Sequence, residues 1–344
     1  MRVLRLLLCL FAGGVCPLGA GESASPVVRI AVVREAPSFD DALRAVCERE
    51  YQGAVRVMPV HGHGWAAVNE LDVEDYLLGV IGREMSPTSP LEALKAQAVA
   101  ARTHALFQAI SSRERPYDLV ANLSQAYRGR TALYKNVVLA IEATRGEVLQ
   151  YEGLLFPAFF HANCGGRTES AAAIWPISDP FGKGSALKMP GNASCPWCAH
   201  SGAAKWTYEI HAAALRKALR AEGISISGPL ALRIAERSPN GRVLKVAVGV
   251  GKEEKRLSAE RLRAILGWSV LKSALFTLER NRLPDGSAGE RITFRGSGYG
   301  HGVGLCQRGA FGMAKQGADY RAILAHFFPK TRVGVAGLQV AGAP

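Results

Sequence analysis

The sequence predicts an α+β fold with two lobes, on three observations. A long alanine-rich helical run sits among scattered strand-like segments, the strands and helices alternate without a fixed repeat, and a later stretch of different character carries an Asn-Gly hairpin signal. A chain of 344 residues, 48% hydrophobic and only 21% charged, can bury a sizeable core and is not a disordered polymer.

The elements follow in order. Val27 to Val33 and Ala54 to Met58 read as strands, with a short helix over Asp40 to Glu50 between them. From Leu71 the apolar residues Val73, Leu77, Leu78 and Ile81 recur at helical spacing. Ser89-Pro90-Leu91-Glu92 then predicts a capping box with a proline start, opening a helix that runs to about Ile110. Its alanines favour helix and leave a thin rod that other backbone can approach, so this helix is expected to be a buried scaffold. Tyr134 to Thr144 is a further helix, and Glu147 to Tyr151 and Leu155 to His161 read as strands about a turn at Glu152-Gly153.

Residues 206–281 change character and are expected to form an α/β lobe inserted into a main domain made of residues 27–205 and 282–330. Its parts are a helix over His211 to Ala221, strands at Ala231 to Glu236 and Val243 to Val248 joined at Asn240-Gly241, and a helix from Ser258 to Leu266. A glycine-rich loop, Gly296 to Gly304, and a helix near Gln307 to Gln316 close the chain.

The first twenty residues decide the compartment. Arg2 and Arg5 precede a short apolar run from Leu6 to Ala12, broken by glycines and Pro17 before small residues at Gly19-Ala20-Gly21. That is the layout of an export signal over residues 1–20, and the run is too short to span a membrane comfortably. The protein is therefore expected in the periplasm or cell wall, touching a membrane only through its N-terminus. A net charge of +13 favours anionic partners. No nucleic-acid-reading motif accompanies it, which disfavours a nucleic-acid partner.

Beyond the signal, which takes Cys9 and Cys16, five cysteines remain: Cys47, Cys164, Cys195, Cys198 and Cys306. Their odd number argues against complete disulfide pairing. Cys195-Pro196-Trp197-Cys198 with Cys164 and a histidine makes a reasonable tetrahedral zinc set. His161 or His200 could be the fourth ligand, and Cys306 in place of His161 is an alternative. A Cys195–Cys198 disulfide is the competing reading in an oxidising compartment.

Glu84 ends an apolar helix just before Ser86-Pro87. Partial burial there would raise its pKa, as a general acid requires. The plainer alternative is a solvated glutamate paired with Arg83 or Lys95.

Six blocks in order carry a resemblance: Asp75-Tyr76-Leu77 with Gly82-Arg83-Glu84-Met85, Glu92 to Ala105, Gln125-Ala126-Tyr127-Arg128-Gly129, Ala143 to Gly146, His161 to Thr168, and Gly300 to Ala310. Across roughly residues 70–328 the chain resembles the stage II sporulation protein D family, related to the LytB amidase enhancers. The resemblance implies a two-lobed domain with a substrate groove, and a peptidoglycan lytic transglycosylase. Such an enzyme cleaves the bond between N-acetylmuramic acid and N-acetylglucosamine in peptide-stripped glycan strands, leaving a 1,6-anhydromuramoyl end. It carries the catalytic role onto Glu84. It makes His161 the favoured fourth zinc ligand, because His161 lies in a family block and the family includes metal-bound members. It also places His301 on the groove, with Gln125, Tyr127, Gln307 and Arg102 as weaker candidates. Arg102 could equally be a buried partner of an acid. A non-catalytic peptidoglycan-binding module that activates a cell-wall amidase is the rival expectation.

Overall fold

The computed structural model describes residues 26–335 apart from 48, 63, 122–124, 130–132, 176–191, 200–203, 229, 250–253 and 283–289. The expected signal over residues 1–20 and the candidate ligand His200 lie outside the described residues. None of the described helices is long and apolar enough to cross a membrane.

Two hydrophobic cores organise the chain. The first gathers residues between Val28 and Cys198 with residues between Leu305 and Phe328. Strands β1 (Val27–Ala36), β2 (Ala54–Val60), β3 (Gly64–Asp72) and β4 (Leu119–Val120) form its sheet in the order β2-β3-β1-β4, with helix α1 (Phe39–Cys47) against it. The sequence gives little warning of β3. As an interior strand it buries Ala66, Ala67, Val68 and Asn69 in succession, so it lacks the polar-apolar alternation that marks a half-exposed strand.

The axle of this core is α3 (Leu91–Ser111), packed by α2 (Val73–Glu84), α4 (Lys135–Ala143), α9 (Gln307–Lys315), α10 (Tyr320–Phe327) and β5 (Glu147–Gln150). Every residue from Ala96 to Phe107 is buried. That matches a helix apolar all round rather than on one stripe. Its expected capping box does not form. Pro90 is the cap residue, and no side chain bonds there. The Glu92 carboxylate instead accepts from the Tyr320 backbone N–H at 2.9 Å and pairs with Lys95 at 2.7 Å. A tertiary donor 228 residues away thus wins over the local one. Ser258, by contrast, caps α8 (Ala259–Leu266) as its spacing predicts, accepting from the Arg261 N–H at 3.1 Å.

The expected strand pair around Glu152-Gly153 is only a tight turn, with a single bridge between Tyr151 and Leu154. Strand β5 pairs instead with β14 (Arg332–Val335), and β6 (Phe160–His161) runs parallel to β13 (Leu305–Cys306). The termini of the first core are therefore stitched together across the insertion.

The second core runs from Trp206 to Phe294. It holds β7 (Lys205–His211), β11 (Phe276–Arg282) and β12 (Glu290–Ser297) in one sheet, order β11-β12-β7. A second sheet, order β10-β9-β8, is made of β8 (Leu232–Arg237), β9 (Val243–Val248) and β10 (Lys255–Ser258). Helices α7 (Ala212–Ala221) and α8 join them, and the Asn240-Gly241 hairpin forms between β8 and β9. Because β12 hydrogen-bonds into this sheet along its length, the lobe continues to about Ser297, past the boundary expected at residue 281.

The two lobes meet in a packed seam rather than, at this place, an open groove. The hairpin tip docks on the first lobe: Asn240 donates to Thr168 O and to both carboxylate oxygens of Glu169, at 3.0–3.2 Å. Beside it Arg242, only 1% exposed, donates to the carbonyls of Cys164 and Arg167. Four glycines of the loop 298–304 have positive φ and lie where a Cβ would strike the protein itself: Asn163 O, His161, the Arg242 guanidinium and Phe159 O. The loop's glycines serve packing of the chain on itself, not approach to a ligand. Gly302→Ala would combine φ +81° with a Cβ about 2.0 Å from Arg242. We expect it to destabilise the protein by more than about 1 kcal/mol in denaturant titration. Its effect should be non-additive with Arg242→Ala, which removes the clash but not the backbone strain.

Candidate active site

Glu84 is the last residue of α2, half-buried where the helix breaks toward Pro87. Both carboxylate oxygens are held. Oε1 accepts from the Ala126 backbone N–H at 2.7 Å, and Oε2 from the Gln307 side-chain amide at 3.2 Å. Burial raises the Glu84 pKa, and these two hydrogen bonds only partly oppose it. The negative end of the α2 dipole acts in the same direction as burial. No charged side chain among the described residues contributes to the shift. Lys95 is engaged by Glu92, and neither it nor Arg83 forms an ion pair with Glu84 among the described residues.

The neighbours of Glu84 are fixed in turn. Tyr76, buried one face along α2, donates to Gln125 Oε1 at 2.8 Å, and Gln125 Nε2 donates to Ala101 O at 3.1 Å. This pins the segment whose next residue, Ala126, binds Glu84. The Tyr127 hydroxyl donates to Asn69 Oδ1, and its ring lies against Gly79, where any Cβ would collide at 2.6 Å. Burial, then the Glu84 charge, drives the Tyr76 phenol well above its usual range, so Tyr76 stays a neutral donor. Gln307 also reaches Gln97 Oε1 at 3.4 Å. Gln97 was legible only as a polar residue in an alanine run, and the Ala126 N–H carried no side-chain signal at all.

Of the expected groove residues, Gln307 alone touches Glu84. Gln125 and Tyr127, 3% and 2% exposed, are supports behind it rather than lining. Arg102 is wholly buried and grips both oxygens of Glu74 at 2.8 and 2.6 Å, with its remaining nitrogen on Glu147 O. It locks α2, α3 and β5 together, which is the buried-acid alternative rather than substrate binding. His301 also departs from expectation. Its Nδ1 accepts from the Val303 N–H and its Nε2 donates to Phe160 O. Burial pushes its pKa well down, so it is neutral, with no ring nitrogen left for a sugar hydroxyl. It sits among the rings of Phe159, His161 and Trp175.

The cysteine set also differs from the favoured one. The sulfurs of Cys164, Cys195, Cys198 and Cys306, all buried, lie within 4.8 Å of one another. The fourth member is thus Cys306, brought across 142 residues by the β6–β13 pairing, and not His161. His161 turns its Nδ1 to Val303 O at 3.0 Å. Four thiolates about a zinc ion with bonds of about 2.3 Å stand roughly 3.8 Å apart, so this donor set fits a closed tetrahedral site. Backbone N–H groups of Cys164 and Gly309 point at Cys306 Sγ at 3.3 Å, as donors that stabilise the negative charge of a metal-bound thiolate do. Hydrogen bonds from the other three thiols hold Cys164 far below the ordinary thiol range.

Comparison with known proteins now bears on this geometry. A family profile described as "Stage II sporulation protein" matches residues 61–151, the segment that contains Glu84, Tyr76, Gln125 and Ala126 but not Gln307, and a domain of unknown function, DUF8618, matches residues 199–304. The stage II sporulation protein D of Bacillus amyloliquefaciens is 30% identical over 79% of this chain and 76% of its own length. The chain belongs to the stage II sporulation protein D family. An uncharacterised protein of Brachyspira hyodysenteriae is 31% identical over 81% of this chain and 71% of its own. A Bacillus subtilis relative named an amidase enhancer is 29% identical over 74% of this chain, which spans 40% of that protein.

Proposed function

We propose that this member of the stage II sporulation protein D family acts at the bacterial cell wall as a peptidoglycan lytic transglycosylase, with Glu84 as its single acid and base. The observation that carries this is a half-buried carboxylic acid whose pKa is raised by burial, with no other carboxylate among the described residues contributing to the shift. The acids at the start of the same helix, Asp72, Glu74 and Asp75, are nine to twelve residues from Glu84, hence about 14 Å or more along the axis. A hydrolase needs its partner carboxylate at about 5–10 Å. Asp72 caps α2 and Glu74 is taken by Arg102, so neither is free to serve.

One carboxyl suffices when the sugar supplies its own nucleophile. Protonated Glu84 gives its proton to the glycosidic oxygen as the C1–O bond breaks. The resulting carboxylate then takes the proton of the muramic acid 6-hydroxyl as O6 bonds to C1, closing the 1,6-anhydro ring. Ala126 N–H and the Gln307 amide hold the carboxylate in that second state, while burial favours the protonated first state. The four cysteines would hold a zinc ion that contributes folding free energy rather than chemistry, since four protein ligands leave no open position.

Incubation with peptide-stripped glycan strands tests the reading: anhydromuramoyl products by mass spectrometry support it, and reducing-end products would mean hydrolysis. The relative named an amidase enhancer motivates a second reading, in which the chain binds peptidoglycan and stimulates an amidase without cleaving glycan. Stimulation with no glycan product would select it. Metal analysis of the purified protein should find one zinc, lost with a fall in thermal stability on chelation. A metal-free protein with a Cys195–Cys198 disulfide would exclude the site.

A further inference from the structure

Helix α9 continues past Gln307 along the wall of a cleft of about 710 Å3, formed between it and the short helix α6 (Pro196–Ala199). Two aromatic side chains, Trp197 and Phe311, and two cations, Arg308 and Lys315, line it. The four belong to one arrangement. Arg308, Phe311, Gly312 and Lys315 recur at i, i+3, i+4 and i+7, a single face of α9. Gly312 is what lets the indole lie there, since a Cβ at that position would come within 2.5 Å of Trp197. The Trp197 N–H is then fixed to Gln316 Oε1 at 2.6 Å.

Arg308 and Lys315 are exposed and form no ion pair among the described residues, although most other arginines near acids do. Lys315 lies over the Phe311 ring at 5.8 Å. A ligand for this cleft needs flat apolar C–H faces for the aromatic rings and an anionic group for the two cations. A pyranose carrying a carboxylate has both. Lys315 is eight residues from Gln307, so this basic face ends about 12 Å along α9 from the residue that holds Glu84, the span of a short oligosaccharide.

We infer that this cleft is a glycan subsite that recognises the free lactyl carboxylate of a peptide-stripped muramic acid, so that substrate is selected for having lost its stem peptide. The inference rests on the glycan-cleaving reading above and assigns it a specificity device. A lactyl group still amide-bonded to a peptide presents no charge at that position, and Arg308 and Lys315 then gain nothing from it.

Binding measured by calorimetry with Glu84→Gln protein, which leaves the strand uncut, separates the two ideas. The probes are peptide-stripped glycan oligosaccharides and the same oligosaccharides with their carboxylates reduced to alcohols. We expect Arg308→Glu/Lys315→Glu to weaken binding of the carboxylate form at least ten-fold, with thermal stability unchanged. The reduced form should bind weakly to both proteins. Phe311→Ala should weaken both forms, since it removes stacking surface without touching charge. Equal affinity for the two oligosaccharides, or no loss in the charge-reversed protein, overturns the subsite. If the oligosaccharides bind as expected but wild-type protein yields no anhydro product, the cleavage reading fails while the subsite stands.

Discussion

Glu84→Gln is expected to lower the turnover of peptide-stripped glycan by about 10²–10⁴-fold, because the amide keeps the shape of the side chain but has no proton to give and no charge to take one. The substitution leaves the Ala126 N–H its oxygen acceptor, so thermal stability should be little changed. A stability loss matching the activity loss would mean that Glu84 serves the fold. The pH profile is the second readout. The step requires the protonated form, and burial raises the Glu84 pKa above that of a solvated glutamate. Activity should therefore persist to higher pH than an ordinary glutamate would allow and fall as pH rises through the raised value. Gln307→Ala removes one of the two hydrogen bonds that favour the charged form. It should move that falling limb further toward alkaline pH while reducing the rate, a displacement that a purely structural role would not produce.

Arg102→Ala should be the most destabilising single change in the first core, by about 3–5 kcal/mol in denaturant titration. It strands the Glu74 carboxylate, 5% exposed, with only the Asp72-capped turn and the Gly146 N–H to face it. Arg102→Lys should recover little, since an ammonium cannot meet both oxygens and Glu147 O in one plane. Replacing both partners with apolar residues of similar volume should recover much of the loss, because the cost lies in the unpaired charge rather than in the missing pair. A fall of less than about 1 kcal/mol for Arg102→Ala would show that water reaches the site and that Arg102 faces solvent, as a substrate-binding residue would.

Arg102 also marks where the sequence stops being legible. It sits in the same ordered block as the scaffold helix, and a block does not say whether a residue faces substrate or core. Gln125 and Tyr127 were misplaced for that reason: they are one shell behind the site, and the atom that touches Glu84 is the backbone N–H of the residue between them. Glu84 stood out through its place in the ordered blocks rather than through its spacing, which left a solvated glutamate as the plainer reading; the burial that raises its pKa is visible only in the structure. The alanine run of α3 was legible in kind, as a helix buried all round, but not in its start, where Glu92 found a partner from another part of the chain. Cys306 could be read only as an alternative to His161, for a simpler reason. Pairing of β6 with β13 sets its distance from Cys164, and no spacing along the chain encodes that. The glycine loop is ambiguous in the sequence, since closeness of backbone to a ligand and closeness of backbone to backbone need the same residue.

Helix α3, sheathed on every side, has a consequence for exchange with solvent. Its backbone amides from Ala96 to Phe107 have no route to water while the surrounding helices stay in place. Deuterium should enter them only when the first core opens as a whole, making them the slowest-labelling segment of the molecule. Gln97 and Ala101 belong to that segment, and through Gln307 and Gln125 they hold the two groups that grip Glu84. The carboxylate is thus anchored to the part of the chain that opens least often, so that substrate meets the same acid geometry at each encounter.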